Sequence, residues 1–107
     1  MKIRLSNQSL RIRISMQEAE KLCNRETIAT SLRLSPIDEF AVELICWNLS
    51  IAEIHLEQKK IIASIPESAA IQLTSERGFT FRQEQAADTR NPLKLEVEID
   101  LEKAQRP

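Results

Sequence analysis

Apolar and polar side chains alternate along several short segments of this chain. Ile3 and Leu5 alternate with cationic residues, and the same pattern returns over residues 9–14. Successive side chains of a strand point to opposite faces, so a period of two predicts half-buried β-strands. The polar residues 7–8 between the two segments predict a tight turn. The chain is therefore predicted to begin with a β-hairpin.

The periodicity changes to that of a helix at two places. Ser15 and Glu18 have the spacing of a capping box, in which each side chain satisfies a backbone donor at the start of a helix. We therefore expect a helix over 16–25. Pro66 precedes a second helical pattern, and proline is tolerated in the first turn of a helix. A second short helix is predicted over 67–73.

The rest of the chain predicts six further strands and two irregular segments. In the first of these strands, alternation places Ile28, Leu32 and Leu34 toward the core. The polar segment 85–91 lacks periodicity and predicts a flexible loop, and we expect the tail 102–107 to be frayed. The six strands are predicted over residues 27–34, 39–47, 51–57, 60–65, 79–83 and 93–101.

Both halves of the chain thus have the order strand, strand, helix, strand, strand. An offset of 51 residues matches Leu22 with Leu73 and Ile28 with Phe79, and a shift to 53 continues the match along the last strand of each half. Alternating strands also match one another by chance, so coincidence is the alternative to a duplication. One unit of about 50 residues would leave its hydrophobic face uncovered, whereas two units can cover each other.

The fold predicted from these patterns is α+β and rich in β-structure. It contains about eight strands and two short helices in one compact barrel, built from a duplicated strand-strand-helix-strand-strand unit. The 107 residues suit a single domain. Within the domain 1–107, the pseudo-symmetric halves are predicted to be 1–49 and 50–101.

Composition removes several classes of protein. With 42% hydrophobic and 29% charged residues, the chain resembles a globular domain. No apolar run approaches the roughly 18–20 residues of a membrane-spanning helix, and the N-terminal segment is unlike a signal peptide. The single glycine, Gly78, excludes a glycine-rich phosphate loop. Cys23 and Cys46 lie in apolar patterns without a paired spacing, so we predict free buried thiols, no cofactor and a cytoplasmic location.

Charge is unevenly distributed although the net charge is only −1. The first hairpin presents four cations on one face, and such a ribbon could bind the phosphates of a nucleic acid or another anionic partner. The alternative, which we favour, is that these cations pair with carboxylates that alternate along the last strand. The cations are Lys2, Arg4, Arg11 and Arg13, and the carboxylates are Glu96, Glu98 and Asp100.

Candidates for catalysis and metal binding are few. His55 lies between Glu53 and Glu57 on the polar face of a strand, and these side chains could bind a metal weakly, but a solvated histidine is the favoured interpretation. Glu96 and Glu98 could act as a carboxylate pair only if burial separated their pKa values. Because both positions are predicted to be exposed, we assign no catalytic residue and no metal ligand.

The strand predicted over 39–47 carries apolar side chains on both of its faces. One face belongs to the core, so the other is covered either by another part of the same chain or by a second subunit. Aromatic side chains are enriched at protein interfaces. Ile45 and Trp47 are therefore the candidate interface residues, and a homodimer is predicted.

Residues in the second half of the chain resemble the AbrB-type swapped-hairpin family. In that family a strand ends in Ile-Pro, a short helix closes on Leu, and a glycine turn opens the next strand. Ile65, Pro66, Leu73 and Gly78 fall at matching spacings, although Phe79 stands where the family has an Asp. The resemblance implies an interleaved barrel and the family's usual activity, DNA binding.

The N-terminal segments 1–5 and 9–15, with Glu18, are similar to a family of small bacterial proteins of no assigned function. Its members share the basic hairpin and the capped helix, and they have a later hairpin that ends in a proline before a helix. This resemblance implies a bacterial cytoplasmic protein and transfers no functional residues.

The function predicted from the sequence is that of a small non-enzymatic binding or protein-interaction module. The charged hairpin and the strand that is apolar on both faces favour it. A nucleic-acid-binding module that uses the N-terminal hairpin is the alternative. The expected partner is a protein, foremost a second copy of the chain, and no membrane association is expected.

Overall fold

The computed structural model describes residues 1–85 and 91–101 as eight strands and two helices. The predicted elements, and hence the β-rich α+β class, are confirmed. Most of the predicted loop 85–91 and all of the tail 102–107 lie outside the described residues. The elements are β1 (Lys2–Ser6), β2 (Ser9–Ile14), α1 (Met16–Cys23), β3 (Ile28–Arg33), β4 (Glu39–Trp47), β5 (Glu53–Glu57), β6 (Lys60–Pro66), α2 (Glu67–Ser75), β7 (Thr80–Gln85) and β8 (Leu93–Ile99).

The strands form two four-stranded sheets, and each sheet combines one hairpin from each half of the chain. The first sheet has the order β1-β2-β8-β7, and the second has the order β3-β4-β6-β5. The hairpins are antiparallel, and they meet in parallel pairs, β2 with β8 and β4 with β6. Because the two sheets are separate, the predicted barrel is not closed by backbone hydrogen bonds.

Local sequence explains where the elements begin and turn. The Ser15 hydroxyl accepts the backbone N–H of Glu18, and the Glu18 carboxylate accepts the backbone N–H of Ser15, so the predicted capping box is present. α2 has no side-chain cap because Pro66 occupies its N-cap position. The turns before β2 and β6 place Gln8 at φ 61° and Lys59 at φ 63°, a left-handed conformation that two-residue hairpin loops use.

The two helices pack against each other and cover one end of the space between the sheets. Leu22 of α1 and Leu73 of α2 are 0% and 1% exposed. Both join a single hydrophobic cluster with side chains from both sheets, so the core lies between the sheets and beneath the helices. The helix predicted over 67–73 is confirmed and extends to Ser75.

The two halves share their strand pairing as well as their order of elements. Leu10 pairs with Leu95 in the first sheet, and Ile61 pairs with Val42 in the second. Leu10 and Ile61 are 51 positions apart, and Val42 and Leu95 are 53 apart, the same offsets at which the sequences of the two halves match. Equivalent strands therefore take equivalent places in the two sheets.

The offset between equivalent residues of the two halves changes from 51 to 53 earlier along the chain than the sequence match indicates. Ile28 pairs with Leu44, and Phe81 pairs with Val97. Since Leu44 and Val97 are 53 positions apart, the counterpart of Ile28 is Phe81 and not Phe79. The two additional residues of the second half thus lie between its helix and β7. A duplication stays our prediction for the origin of this arrangement.

Several other details of the sequence interpretation are wrong. Leu32 and the neighbouring Leu34 are exposed rather than in the core, because β3 is the edge strand of its sheet. Cys23 is exposed at the last position of α1, whereas Cys46 is buried as predicted. α1 ends at Cys23 and β8 ends at Ile99, so both stop before the predicted bounds.

Candidate functional site

The outer face of the first sheet carries a ladder of ion pairs. The parallel register sets Arg11 beside Glu96, and their side chains lie 3.1 Å apart. Arg13 lies beside Glu98 in the same way, at 2.9 Å. Opposite charges on neighbouring strands stabilise a sheet by about 0.2–1 kcal/mol per pair. The basic hairpin thus pairs with the acidic strand, as we favoured from the sequence.

The edge strand β1 is less completely neutralised. Lys2 lies 3.1 Å from Asp100, a carboxylate that is itself buried. Arg4, which is exposed, forms no ion pair with any residue of the described part of the chain. One of the four cations predicted to bind an anionic partner is therefore accessible and unneutralised.

The outer face of the second sheet is apolar at two of the four positions equivalent to this ladder, and the other two are Ser64 and Glu43, which lies 3.4 Å from Lys60. Ile62 stands 51 positions after Arg11, and Ile45 stands 53 positions before Glu98. Both isoleucines are half-buried. Part of the ion-pair ladder of the first sheet is thus replaced on the second sheet by an apolar strip formed by Ile45 and Ile62.

Trp47 lies at the end of this strip and is 51% exposed. The guanidinium carbon of Arg25 stands 5.0 Å from the centroid of the indole ring, within the range of a cation–π interaction. Arg25 also forms an ion pair with Glu67, at the start of α2. The structure therefore places the predicted interface residues Ile45 and Trp47 on one outer face, and the interface itself stays a prediction.

The end of the molecule opposite the helices is open and apolar. Leu5 and Leu56, which lie just before the two equivalent hairpin turns, are 62% and 70% exposed. A cavity of about 540 Å³ lies between them. A concave, mostly apolar surface of this kind is the usual form of a binding site. The apolar walls of this cavity, which we call the open end, are Leu5, Leu10, Ile54, Leu56, Ile61 and Leu93.

A groove continues this apolar surface along the side of the molecule, between the edge strands β1 and β3. Its volume is about 350 Å³. Leu5 borders both the cavity and the groove, and Leu32, on the opposite wall, is 61% exposed. The apolar walls of the groove are Met1, Ile3, Leu5, Leu32, Phe40 and Val42.

The two sheets approach each other along two seams, one between β5 and β7 and the other between β1 and β3. Glutamine side chains bridge the first. Gln83 donates from Nε2 to the Ala52 carbonyl at 2.7 Å and accepts the Ala52 N–H at 2.8 Å. Gln85 makes the same two bonds with Ile54, at 3.0 and 2.8 Å. The β5–β7 seam is therefore closed by side-chain amides.

The β1–β3 seam has no such bridge. Thr30 and Leu32 are the residues 53 positions before Gln83 and Gln85, and neither side chain can supply an amide. No hydrogen bond between described residues joins β1 to β3. The groove along this seam is consequently open to solvent and bordered by two unpaired strand edges.

Comparison with models of protein families gives a match over residues 1–105 to a family of unknown function (DUF7009). The chain belongs to this family. The resemblance to an uncharacterised family that the N-terminal residues indicated is thereby confirmed, whereas the bacterial origin and the AbrB-type resemblance stay predictions. Searches of curated proteins and of solved structures found no match.

The side chains that could bind a metal ion or act in catalysis are dispersed in this DUF7009 protein. His55 is exposed, and its Nε2 lies 3.6 Å from a carboxylate oxygen of Glu57, which is also exposed. In residues 1–85 and 91–101, no group of three or more His, Cys, Asp or Glu side chains is arranged to hold a metal ion. Neither of the two helices described has the length and apolar character needed to cross a membrane.

Glu18 and Cys46 have shifted pKa values in the described part of the chain. Burial alone would raise the pKa of Glu18, but hydrogen bonds from the Ser15 backbone and from the α-amino group of Met1 lower it below its usual value of 4.5. Burial raises the pKa of the Cys46 thiol, and the positive charge of Arg25 offsets part of this effect. Both groups lie away from the open end, so they bear on stability rather than on binding there.

Sequence reasoning missed the open end. The period of two in β1 and β5 points Leu5 and Leu56 to the inner face, and both leucines line the cavity between the sheets. Their exposure follows from the distance between the hairpin turns and the helices, which cover only the other end. The sequence does contain one indication of this exposure, because each leucine lies close to a polar turn. No other element of the described part of the chain covers the leucines there.

Proposed function

We propose that this domain is a non-enzymatic protein-interaction module that binds an apolar segment of another protein at its open end. The observation that supports this most directly is the exposure of Leu5 and Leu56 around a cavity of about 540 Å³. Monomeric soluble domains rarely expose contiguous apolar surface of this kind unless it binds something. Burying both leucines in a complex would favour association by roughly 25 cal/mol for each Å² of apolar surface removed from water.

The same proposal includes a homodimer formed through the outer face of the second sheet. The apolar strip of Ile45 and Ile62, ending at the exposed Trp47, supports this second surface. Its separation from the open end would allow a dimer to present two binding sites. The proposed location is the cytoplasm, in keeping with two cysteines that form no disulfide.

Nucleic-acid binding by the first hairpin is the weaker candidate. Arg11 and Arg13 already contact carboxylates, so phosphate binding would have to compete with those pairs. Binding of duplex DNA that weakens steeply with salt and is lost on Arg11→Gln would favour this alternative. We expect no measurable binding at physiological salt.

The proposal is tested with the apolar dye 1-anilinonaphthalene-8-sulfonate as a probe of the native protein. We expect the dye to bind the wild type at one site and to shift the backbone amide resonances of residues around the cavity in nuclear magnetic resonance spectra. The double variant Leu5→Ser, Leu56→Ser should bind the dye at least five-fold more weakly. Ile71→Ser, an exposed apolar position on α2, is the matched control and should bind like the wild type.

Circular dichroism must show that the variants keep the native secondary structure, because partly unfolded proteins also bind this dye. Dye binding that is absent from the wild type, or that is unchanged in a folded double variant, would show that the open end is not a binding surface.

A further inference from the structure

The two seams of the molecule are equivalent in topology but differ in what fills them. Along the β5–β7 seam, each glutamine both donates to and accepts from one backbone residue, Gln83 with Ala52, directly before β5, and Gln85 with Ile54 of β5. A peptide group carries the same donor and acceptor as a side-chain amide. The glutamines therefore do for the edge of β5 what a neighbouring strand would do.

This arrangement shows what the β1–β3 seam lacks. Ile3 stands 51 positions before Ile54, and it holds the same place in the register, because Ile3 pairs with Ile12 as Ile54 pairs with Ala63. The N–H and C=O of Ile3 consequently point out of the sheet, toward β3. No hydrogen bond between described residues reaches them across the seam.

We propose that the β1–β3 seam binds an extended peptide of a partner protein, which adds to the edge of β1 as a further strand. The peptide backbone takes the place that the two glutamine amides fill at the other seam. Strand addition of this kind derives its affinity from main-chain hydrogen bonds and its specificity from pockets for alternate side chains. The inference rests on the proposed function, since it names the partner of the same apolar surface.

The walls of the groove determine the chemical character of every second side chain of the peptide. Leu32 and Phe40 face the groove from one wall, and Ile3 and Leu5 face it from the other. Alternate side chains of a strand point to the same face. Those that point inward from the peptide therefore meet an apolar surface, and they are expected to be aliphatic.

The other set of side chains lies beside cations. Lys2 and Arg4 project from the outer face of β1; Lys2 lies 3.1 Å from Asp100, whereas Arg4 has no ion-pair partner in the described part of the chain. Arg33, at the end of β3, is exposed and lies 3.4 Å from Glu39. The outward side chains of the peptide are consequently expected to be acidic. The occupant is an extended segment in which aliphatic and acidic residues alternate.

The same charges argue against a second copy of the chain as the occupant. Pairing β1 with β1 of another molecule would set Lys2 and Arg4 opposite like charges, which destabilises neighbouring strands. Pairing β1 with β3 of another molecule would bring Arg4 toward Arg33. An acidic peptide avoids both arrangements.

The experiment measures the fluorescence anisotropy of a labelled eight-residue peptide in which valine and glutamate alternate. We expect saturable binding with one peptide per chain. A peptide of alternating valine and lysine should bind more weakly because it meets Arg4. A third peptide, with proline at every valine position, lacks the N–H groups that strand pairing needs, and it should not bind.

The decisive variant is Thr30→Gln, Leu32→Gln, which installs on β3 the amides that β7 carries at the other seam. We expect it to bind the valine–glutamate peptide at least ten-fold more weakly and to slow hydrogen exchange at the amide of Ile3. Ala29→Gln, on the outer face of the same strand, is the matched control and should change neither quantity. Arg4→Glu should weaken binding of the valine–glutamate peptide and strengthen binding of the valine–lysine peptide. Each change should be about three-fold, which is the size of the effect of an exposed charge pair.

Three results would overturn the inference. They are unchanged peptide binding by a folded Thr30→Gln, Leu32→Gln variant, equal binding of the proline peptide, and tighter binding of the lysine peptide to the wild type. Dye binding at the open end would then still stand, so the proposed function would survive without this partner. If Leu5→Ser, Leu56→Ser leaves dye binding intact, the proposed function fails whatever the peptides do.

Discussion

Truncation of Leu22 or Leu73 to alanine removes the largest buried side chain of its helix. Both leucines are essentially inaccessible to solvent, and they stand 51 positions apart, at equivalent places in α1 and α2. Because the two helices pack against each other over one shared core, each truncation opens a cavity in the same cluster. We therefore expect the two variants to lose similar amounts of stability.

The magnitude follows from the atoms removed. Three buried carbons at about 0.8 kcal/mol each give about 2.4 kcal/mol for the loss of transfer free energy. The cavity left behind raises the cost toward 5 kcal/mol when the surroundings cannot relax. The expected loss is therefore about 2.5–5 kcal/mol for each variant, and the two values should agree within about 1 kcal/mol. In a domain whose total stability is about 5–15 kcal/mol, either change removes a large fraction.

Urea denaturation monitored by circular dichroism measures both losses of stability. Equal m-values would show that the variants expose the same amount of surface on unfolding as the wild type. Leu56→Ala is the control, because that side chain is mostly exposed and its truncation should cost less than about 0.5 kcal/mol. A loss below about 1 kcal/mol in either helix variant, or a difference above about 2 kcal/mol between them, would refute the shared-core reasoning.

Three further predictions concern other groups. Because the pKa of Glu18 is lower in the folded protein than its usual value of 4.5, its stabilising contribution is complete at neutral pH and is lost as the pH falls below that value; Glu18→Gln should therefore flatten the acid side of a melting-temperature profile. Cys23 should react with a thiol reagent at least a hundred-fold faster than the buried Cys46 in native protein, as peptide mass spectrometry would show. Trp47→Ser should shift a dimer toward monomer in sedimentation velocity, and an unchanged dimer would remove the outer face of the second sheet as its interface.

The elements of the fold could be predicted because each depends on neighbouring residues. A period of two along residues 9–14 sufficed for a strand, and the spacing of Ser15 and Glu18 sufficed for a helix start. The partners of the strands could not be predicted in the same way. A period of two does not predict that β2 pairs with β8 of the other half. Any strand with an aliphatic inner face could pack against the same core.

The candidate site was predicted in part. The alternating cations and carboxylates of two strands indicated the internal ion pairs, and Arg11 beside Glu96 confirms that the periods match in space. The open end depends on which end of the sheets the helices cover, and that is a property of the whole fold. Gln83 looked like an ordinary polar strand residue, and Gln85 was assigned to the predicted loop 85–91 although it ends β7. A side-chain bridge between two sheets does not alter the periodicity of the sequence.

The differences between the two halves carry more information about function than their agreement does. Equivalent positions that agree, such as Leu22 and Leu73, lie in the core and are explained by packing. At the seams, equivalent positions differ in kind, since Gln85 closes one and Leu32 leaves the other open. Stability alone would favour closing both seams, because unpaired strand edges invite unwanted association. An open seam lined by aliphatic side chains and flanked by Arg4 is therefore the feature of this molecule that folding explains least and that a bound acidic peptide would explain best.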